Sequence, residues 1–290
     1  MIRQHPPRRG GDRDTMSFND KVCLITGAGS GIGRALALAL GADGAVVTVS
    51  DIDAGAAAQT ARDINTAGPG RATHEPLDVT DADAVTRHVS AVAGAHGRLD
   101  YIFNNAGIAI AGDARDLEIE HWRRVIDVNL MGVLYGTSCA YKIMARQGFG
   151  HIVNIASLSG LIPFPTNIPY GTTKFAVVGL STGLRAEGEA LGVKVSAVCP
   201  GFIESNIYTA SQAVNVQSDA LGDELPFKKV PADVAASKIL RGVERNVAVI
   251  VFPRYAQIFW WLYRLNSRFG TGAGRQMIRD FRKLRMDDSP

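Results

Sequence analysis

The 290-residue sequence contains few cysteines, and their positions do not suggest disulfide bonds. Its three cysteines, Cys23, Cys139 and Cys199, are far apart, odd in number and show no C-x-x-C spacing. We therefore expect reduced thiols in the core of a cytoplasmic protein. The six histidines do not cluster with carboxylates or cysteines at ligand spacing, so we predict no metal site.

Long apolar runs and a strong charge imbalance are also missing. The first 15 residues, MIRQHPPRRGGDRDT, lack the apolar core of about 7–15 residues that a signal peptide needs. We expect residues 1–17 to form a disordered basic leader, and the sequence leaves open whether Met1 or Met16 is the natural start. The formal net charge of +3 is too small to indicate a nucleic-acid partner.

The sequence does contain short apolar runs that alternate with longer helical stretches. The runs predict strands at 21–26, 45–50, 71–79, 99–104, 150–157, 193–199 and 247–252. Helices are predicted at 32–43, 54–67, 81–96, 118–147, from 170 onward and at 231–245. This alternation is typical of βαβ units, and wholly apolar strands indicate a parallel sheet covered by helices on both faces.

A glycine-rich turn, TGAGSGIG (26–33), follows the first predicted strand and begins the first helix. In this context Gly27 permits a tight turn, Gly31 allows a pyrophosphate to approach the backbone, and Gly33 allows helix and strand to pack closely. The helix N-terminus would face the phosphates with its partial positive charge. We predict an α/β fold, a Rossmann-type doubly wound parallel sheet of about seven strands, as a single domain over residues 18–253.

Asp51 closes the second predicted strand, 18 residues after Gly33. A carboxylate there can accept hydrogen bonds from an adenosine ribose and would repel a 2′-phosphate, which favours NAD over NADP. Neither Ser30 nor Ile52 is basic, whereas Arg34 keeps NADP open. The alternative is that Asp51 only caps the next helix.

A tyrosine and a lysine stand four residues apart in PYGTTKF (169–175). Residues i and i+4 share one helix face, so Tyr170 and Lys174 can share a site. A nearby cation lowers the pKa of a phenol from about 10, and a phenol tuned in this way can move a proton on or off an alcohol oxygen. The alternative interpretation is two ordinary residues at a helix start.

With these motifs in order, residues 18–253 resemble the short-chain dehydrogenase/reductase family. The resemblance also rests on LDVT (77–80), NNAG (104–107), DVNLMG (127–132), NIASLSG (154–160) and CPGFIES (199–205), with Ser157 placed 13 residues before Tyr170. It implies that Asp78 borders the adenine of the cofactor. It also implies a site for the whole nicotinamide dinucleotide formed by Gly27, Ser30, Gly31, Ile32, Gly33, Asp51, Ile52, Asp78, Val79, Asn105, Ala106, Gly107, Tyr170, Lys174, Pro200, Gly201, Ile203 and Ser205.

The resemblance also implies four catalytic roles. Tyr170 would transfer the proton, and Lys174 would lower the pKa of Tyr170 and bind the nicotinamide ribose. Ser157 would hold the substrate oxygen, and Asn129 would fix a water that links Lys174 to solvent. The alternatives are that Ser157 caps a strand end and that Asn129 bonds only to backbone.

Apolar residues surround the expected substrate position. Beside Ser157 and Tyr170, the candidate substrate contacts are Leu158, Phe164, Phe202, Ile207 and Tyr208, and residues 202–228 are expected to form a mobile lid. We therefore expect an NAD-dependent oxidoreductase for a hydrophobic secondary alcohol or ketone of lipid, steroid or terpenoid type. The alternatives are an NADPH-dependent carbonyl reductase and a non-catalytic nicotinamide-binding regulator.

Residues 254–290 form a basic, aromatic extension that we expect to be helical. Between Arg254 and Arg285 there are eight Lys/Arg and one acidic residue, and the longest apolar run has six residues. A membrane span needs about 20 apolar residues, so the extension is not one. Three interpretations are open: an interfacial membrane helix, a contact with a partner subunit, or a cover over the active site. The resemblance further implies a homodimer or homotetramer formed through the helices around 118–147 and 170–190.

Overall fold

The computed structural model of the chain describes residues 18–204, 207, 212–216 and 228–286. The predicted leader, Ser205, Tyr208 and most of the predicted lid lie outside the described residues. The strands are β1 (Val22–Thr26), β2 (Val46–Asp51), β3 (Arg71–Pro76), β4 (Tyr101–Asn104), β5 (Ile110–Ala111), β6 (Gly150–Ile155), β7 (Val193–Pro200), β8 (Gln212–Ala213) and β9 (Val249–Phe252).

Helices follow most of these strands. They are α1 (Gly31–Ala42), α2 (Ala54–Ala67), α3 (Ala82–His96), α4 (Ile119–Ile126), α5 (Gly132–Gln147), α6 (Ile168–Gly188), α7 (Ala232–Glu244), α8 (Arg254–Leu265) and α9 (Thr271–Arg282). The single helix predicted at 118–147 is divided, because a π-helical turn over Asp127–Met131 separates α4 from α5.

Seven strands form one parallel sheet in the order β3-β2-β1-β4-β6-β7-β9. This architecture confirms the predicted doubly wound fold. A separate parallel pair, β5 with β8, was not predicted, because strands of two residues each leave no periodic signal.

The two faces of the sheet are covered by different helices. On one face, Cys23 and Ile25 of β1 pack with residues of α1, α2 and α7. On the other, Val22 and Leu24 pack with residues of α3 and α5, and α6 joins the same side near β7. Alternate residues of a strand point to opposite faces, which explains why a wholly apolar strand is required here.

The strand order reverses between β1 and β4, which leaves a crevice at their carboxyl ends. Chain segments that leave this edge of the sheet are the glycine-rich turn after β1, NNAG at the end of β4, and Ser157 just after β6. In open parallel sheets ligands bind at such a switch point. Separately, among the described residues no helix has the length and apolar character needed to span a membrane.

Candidate active site

The glycine-rich turn has the shape of a dinucleotide cradle. Gly27 and Gly31 adopt positive φ angles of 63° and 52°, where other residues are strained. A Cβ at Gly33 would collide with the carbonyl oxygen of Gly27, so the turn can exist only with glycine there. Ser30 precedes α1 in an extended conformation, and its side chain makes no capping hydrogen bond to the first turn of the helix. These features fit a phosphate group at the helix N-terminus.

Thr26 and Asn105 fix this turn against the end of β4. The Asn105 amide nitrogen Nδ2 donates to the carbonyl oxygens of Thr26 and Gly27 at 3.0 and 2.9 Å. The Thr26 hydroxyl accepts hydrogen bonds from the backbone N–H of Asn105 and Ala106 at 3.1 and 3.2 Å. The sequence analysis assigned no role to Thr26, although its place as the first residue of the turn could have drawn attention to it.

Asp51 supports the turn from the second strand. Its Oδ2 accepts from the Gly29 N–H at 2.8 Å, and its Oδ1 accepts from the Asp53 N–H at 3.0 Å. The cap of α2 is Asp53, whose carboxylate accepts from the Ala56 N–H, so the alternative role considered for Asp51 is held by a different residue. Arg34 is engaged by Asp63 of α2 at 2.6 Å.

The remaining residues predicted at the adenine side have local partners. Asp78 is exposed, and its carboxylate accepts from the backbone N–H and the hydroxyl of Thr80 at 2.9 and 2.8 Å. Val79 is buried against Gly132, while Ile52 is exposed and Ile32 packs on the edge of the core.

Tyr170 and Lys174 lie on the first turns of α6, on the same face. The Lys174 Nζ lies 5.4 Å from the centroid of the Tyr170 ring and donates to the Ile155 carbonyl oxygen at 2.8 Å. The Ser157 side chain faces the Tyr170 phenol closely enough to lower the pKa of that phenol. The Ser157 hydroxyl also accepts from the Ser159 N–H at 3.1 Å, so this serine both caps a short helical turn and reaches the tyrosine.

Burial shifts the pKa values of both members of the pair. Burial raises the pKa of Tyr170 to about 12, and the Ser157 hydrogen bond offsets only part of this effect. Burial also lowers the pKa of Lys174 to about 8. Removal of the phenolate from water is thus the main influence on the pKa of Tyr170, and the lowering of that pKa by Lys174 stays a prediction.

Asn129 is completely buried in the π-helical turn before α5. Its Oδ1 accepts from the Ile108 N–H at 2.8 Å, and its Nδ2 donates to the Ile108 carbonyl oxygen at 2.9 Å. A longer bond of 3.4 Å joins Nδ2 to the Thr173 hydroxyl beside Lys174. A Cβ at Gly107 would lie 3.3 Å from Asn129 Oδ1 and 3.6 Å from Lys174 Nζ, so NNAG passes directly beside both side chains.

The segment after β7 is held by the C-terminal extension. Gly201 donates its N–H to the Phe252 carbonyl oxygen at 2.8 Å, and the Tyr255 hydroxyl accepts from the Phe202 N–H at 2.9 Å. Pro200 ends β7, and Ile203 is buried and pairs with Val230. Tyr255 was not among the predicted site residues, because its contact with Phe202 is tertiary.

Apolar side chains line the region beyond Ser157. Leu158 is buried and Phe164 is half-buried in a cluster that includes Leu161 and Ile162. The inner face of α8 adds aromatic side chains to this cluster: Tyr255, Phe259, Trp260 and Tyr263. Ile207 is half-buried, whereas the predicted contacts of Ser205 and Tyr208 lie outside the described residues.

No group of three or more His, Cys, Asp or Glu side chains suited to a metal ion occurs within the described part of the chain. All three cysteines are free. Cys199 lies buried near Ser157, and burial raises the pKa of its thiol to about 12, so it is a poor nucleophile.

The chain is similar in sequence to a known protein family and to several known proteins. A family model described as short chain dehydrogenase matches residues 21–215. The chain is 37% identical over 240 residues to SadH of Mycobacterium tuberculosis, named as an oxidoreductase, covering 81% of this chain and 87% of SadH. It is 39% identical to the cyclohexanol dehydrogenase of an Acinetobacter species, covering 65% of this chain and 75% of that enzyme.

Among solved structures, a short-chain dehydrogenase/reductase from Burkholderia phymatum in complex with NAD aligns with a TM-score of 0.76. The two chains are 27% identical, and the alignment covers 95% of this chain and 99% of the other.

The low pKa of Lys174 predicts a specific pH dependence of stability. The pKa is about 8 in the folded chain and 10.5 for the free side chain, so between these values the unfolded chain binds more protons. The contribution of Lys174 to the free energy of unfolding should therefore rise with pH across this window. Lys174→Met should remove this contribution, measured by urea denaturation between about pH 8 and pH 9.

Lys142→Met, which removes an exposed lysine of α5, is the matched control and should leave the rise intact. The comparison stays below about pH 9 because the raised pKa values of the Cys199 thiol and the Tyr170 phenol lower stability at higher pH. Equal slopes for the original chain and Lys174→Met would contradict the prediction.

Proposed function

The chain belongs to the short-chain dehydrogenase family, and on that basis we propose that it interconverts a hydrophobic secondary alcohol and its ketone with NAD as the hydride carrier. Membership makes the chain an oxidoreductase of the alcohol dehydrogenase type that uses a nicotinamide cofactor and acts on small molecules. The observation that carries the specific proposal is the grouping of Ser157, Tyr170 and Lys174 at the sheet edge that also carries the glycine-rich turn.

In the proposed reaction each catalytic side chain acts on the substrate oxygen or on its proton. The nicotinamide supplies or accepts the hydride. The Ser157 hydroxyl hydrogen-bonds the substrate oxygen and stabilises charge that develops there. Tyr170 exchanges the proton with the same oxygen, and the Lys174 ammonium beside its ring stabilises the phenolate that remains.

The direction of the pKa shift bears on how Tyr170 works. With a pKa of about 12 the phenol is protonated near neutrality, which suits donation of a proton to a ketone oxygen. Removal of an alcohol proton requires further positive charge near the phenol. Lys174, with a pKa of about 8, supplies that charge only while it stays protonated.

Two alternative functions remain distinct from this proposal. An NADPH-dependent carbonyl reductase would use the same catalytic residues but would need to accommodate a 2′-phosphate near Asp51. A nicotinamide-binding regulator would have no use for a serine and a buried lysine grouped around a tyrosine, and the presence of that group favours the enzyme.

NAD is favoured by the carboxylate of Asp51 and by the pairing of Arg34. Asp51 is held at the turn by the Gly29 N–H, so its negative charge stays where an adenosine ribose would lie. The Arg34 guanidinium forms an ion pair with Asp63. Arg34 is the basic side chain that could have bound the 2′-phosphate of NADP, and this pair engages its charge.

A hydrophobic substrate is supported by the apolar cluster beyond Ser157. Leu158, Phe164 and the inner aromatic residues of α8 belong to one apolar cluster that begins next to Ser157. Cyclohexanol, the substrate named for the Acinetobacter relative, is a suitable first probe for this site.

We propose a cytoplasmic homodimer or homotetramer as the working form. Apolar side chains stay exposed on the predicted association surface in the single chain, including Leu134 of α5 and Ile168 and Phe175 of α6. Exposed groups of this kind mark interaction surfaces.

The outer face of α8 supports peripheral contact with an anionic membrane. Ile258, Trp261 and Leu265 are 55%, 60% and 66% exposed and recur on one side of the helix. Basic residues flank them, and Arg254 and Arg268 have no ion-pair partner within the described residues. Apolar side chains beside basic ones are typical of helices that lie in a lipid interface.

Replacement of the tyrosine hydroxyl tests the catalytic proposal. Tyr170→Phe should lower kcat for oxidation of cyclohexanol by about 10²–10⁴-fold, because proton transfer is lost, while the affinity for NAD stays unchanged. Turnover is measured from the absorbance of the reduced nicotinamide, and cofactor affinity by calorimetry. Tyr141→Phe, on α5, should behave like the original chain. Undiminished turnover in Tyr170→Phe would overturn the mechanism.

A charge removal at the second strand tests the cofactor. Asp51→Asn should weaken NAD binding by about tenfold or more and improve NADP binding, because an acceptor and a repulsive charge are both lost. Asp53→Asn removes the neighbouring carboxylate that caps α2, and it should leave the ratio of the two affinities unchanged. An unaltered ratio in Asp51→Asn would favour the NADPH-dependent alternative.

Vesicle binding tests the outer face of α8. The chain should co-sediment with vesicles that contain phosphatidylglycerol, and the double variant Ile258→Ser/Trp261→Ser should bind about tenfold less because apolar burial is lost. The control Ile119→Ser removes an equally exposed apolar residue from α4 and should bind normally. Equal partitioning of the double variant and the original chain would remove the membrane proposal.

A further inference from the structure

Two arginines near the end of the C-terminal extension form ion pairs with a loop far away in sequence. Arg282 Nε contacts Asp113 Oδ2 at 2.6 Å, and Arg285 donates through Nε and Nη2 to both oxygens of Asp116 at 3.0 and 2.8 Å. The partners of each pair are 169 residues apart in the chain. A two-point arginine–carboxylate contact fixes orientation as well as distance.

The Arg285 pair is shielded from water, unlike an ordinary surface ion pair. The side chains of Arg285 and Asp116 are 9% and 13% exposed, and that of Asp113 is 5% exposed. The arginines hold the pKa values of Asp113 and Asp116 below their usual range, mainly through the hydrogen bonds from Arg282 and Arg285. Shielded pairs with two hydrogen bonds resist screening by salt, so this contact can hold two segments together.

A third segment joins the same contact. Asn215 donates through Nδ2 to Asp116 at 3.3 Å, and its carbonyl oxygen accepts from the Met286 N–H at 3.1 Å. Val216 pairs with Arg285 in an antiparallel bridge. The Asp116 carboxylate therefore connects the loop after β5, the segment after β8 and the end of the extension.

These three segments border the candidate substrate site. The backbone N–H of Ile108 donates to Asn129, and from Ile108 the chain runs through β5 into the loop after β5. Strand β5 pairs with β8. Gly112 donates its N–H to the Thr166 carbonyl oxygen at 2.8 Å, within the stretch between Ser157 and Tyr170. A change in the position of this loop would thus reach the stretch that carries Leu158 and Phe164.

We propose that the pairs Arg282–Asp113 and Arg285–Asp116 act as a clamp by which the C-terminal extension fixes the width of the substrate site. Arg285 and Asp116 are positioning residues, because they act through the loop and not on the substrate. The clamp rests on the proposed function for its effect on turnover, but its structural effect is independent of any substrate.

Charge reversal with rescue tests the clamp. Arg285→Asp and Asp116→Arg should each raise KM for cyclododecanol, a bulky ring alcohol, by about tenfold relative to the original chain, while kcat for cyclohexanol changes by less than about twofold. The double variant Arg285→Asp/Asp116→Arg restores opposite charges and should recover most of the loss. Lys283→Asp reverses an exposed charge next to the clamp and should have no effect.

Hydrogen exchange supplies a readout without substrate. Amide protons at 110–116 and 212–216 should exchange faster in each single variant and recover in the double variant, whereas those of β1 and β6 should not change. If Arg285→Asp fails to fold, Arg285→Gln, which keeps much of the side chain without its charge, carries the same expectations. Unchanged exchange in the single variants, or no rescue by the double variant, would overturn the clamp.

Failure of the proposed function has a different signature. In that case the original chain itself would show no turnover of either alcohol, while the exchange experiment would still report on the clamp.

Discussion

The buried ammonium of Lys174 constrains the geometry of the whole site. It must find acceptors in an apolar interior, and the Ile155 carbonyl at the end of β6 supplies one. This bond fixes α6 against the sheet at the end of β6, close to Ser157. Gly160 accommodates the arrangement, since a Cβ there would lie 2.5 Å from the Lys174 carbonyl oxygen.

The same burial keeps the Tyr170 phenol protonated near neutrality. A low-dielectric pocket disfavours both charged forms, so it raises the pKa of the phenol and lowers that of the ammonium. The proximity of the phenol and the ammonium does not by itself offset the free-energy cost of burying their charged forms. In the proposed reaction the site therefore depends on further positive charge before alcohol oxidation becomes efficient.

The fold and the position of the site were largely predictable because their signals are local. TGAGSGIG after an apolar strand identifies the cradle, and the i, i+4 spacing places Tyr170 and Lys174 on one face. The direction of the tyrosine pKa was not predictable, because desolvation depends on everything packed around the phenol. The π-helical turn at Asn129 was missed because its amphipathic pattern resembles that of the adjoining α-helices. The contact of Arg285 with Asp116 leaves no local pattern at all.

The roles of Ser205 and Tyr208 stay predictions, since both lie outside the described residues. For the C-terminal extension, the sequence offered three interpretations, and the structure places its inner face on the chain's own apolar cluster beyond Ser157. The outer face remains available for a partner. The inner face of α8 therefore packs on the apolar cluster, while its outer face can contact another molecule.

The separation of 169 residues between Asp116 and Arg285 has a consequence for biosynthesis. A ribosome that adds about 5–20 residues per second needs on the order of ten seconds or more to travel between them. When Asp116 is made, β1 to β4 and the glycine-rich turn have already been made, but Arg285 has not. Asp116 therefore gains its counter-charge only when the end of the extension is synthesised.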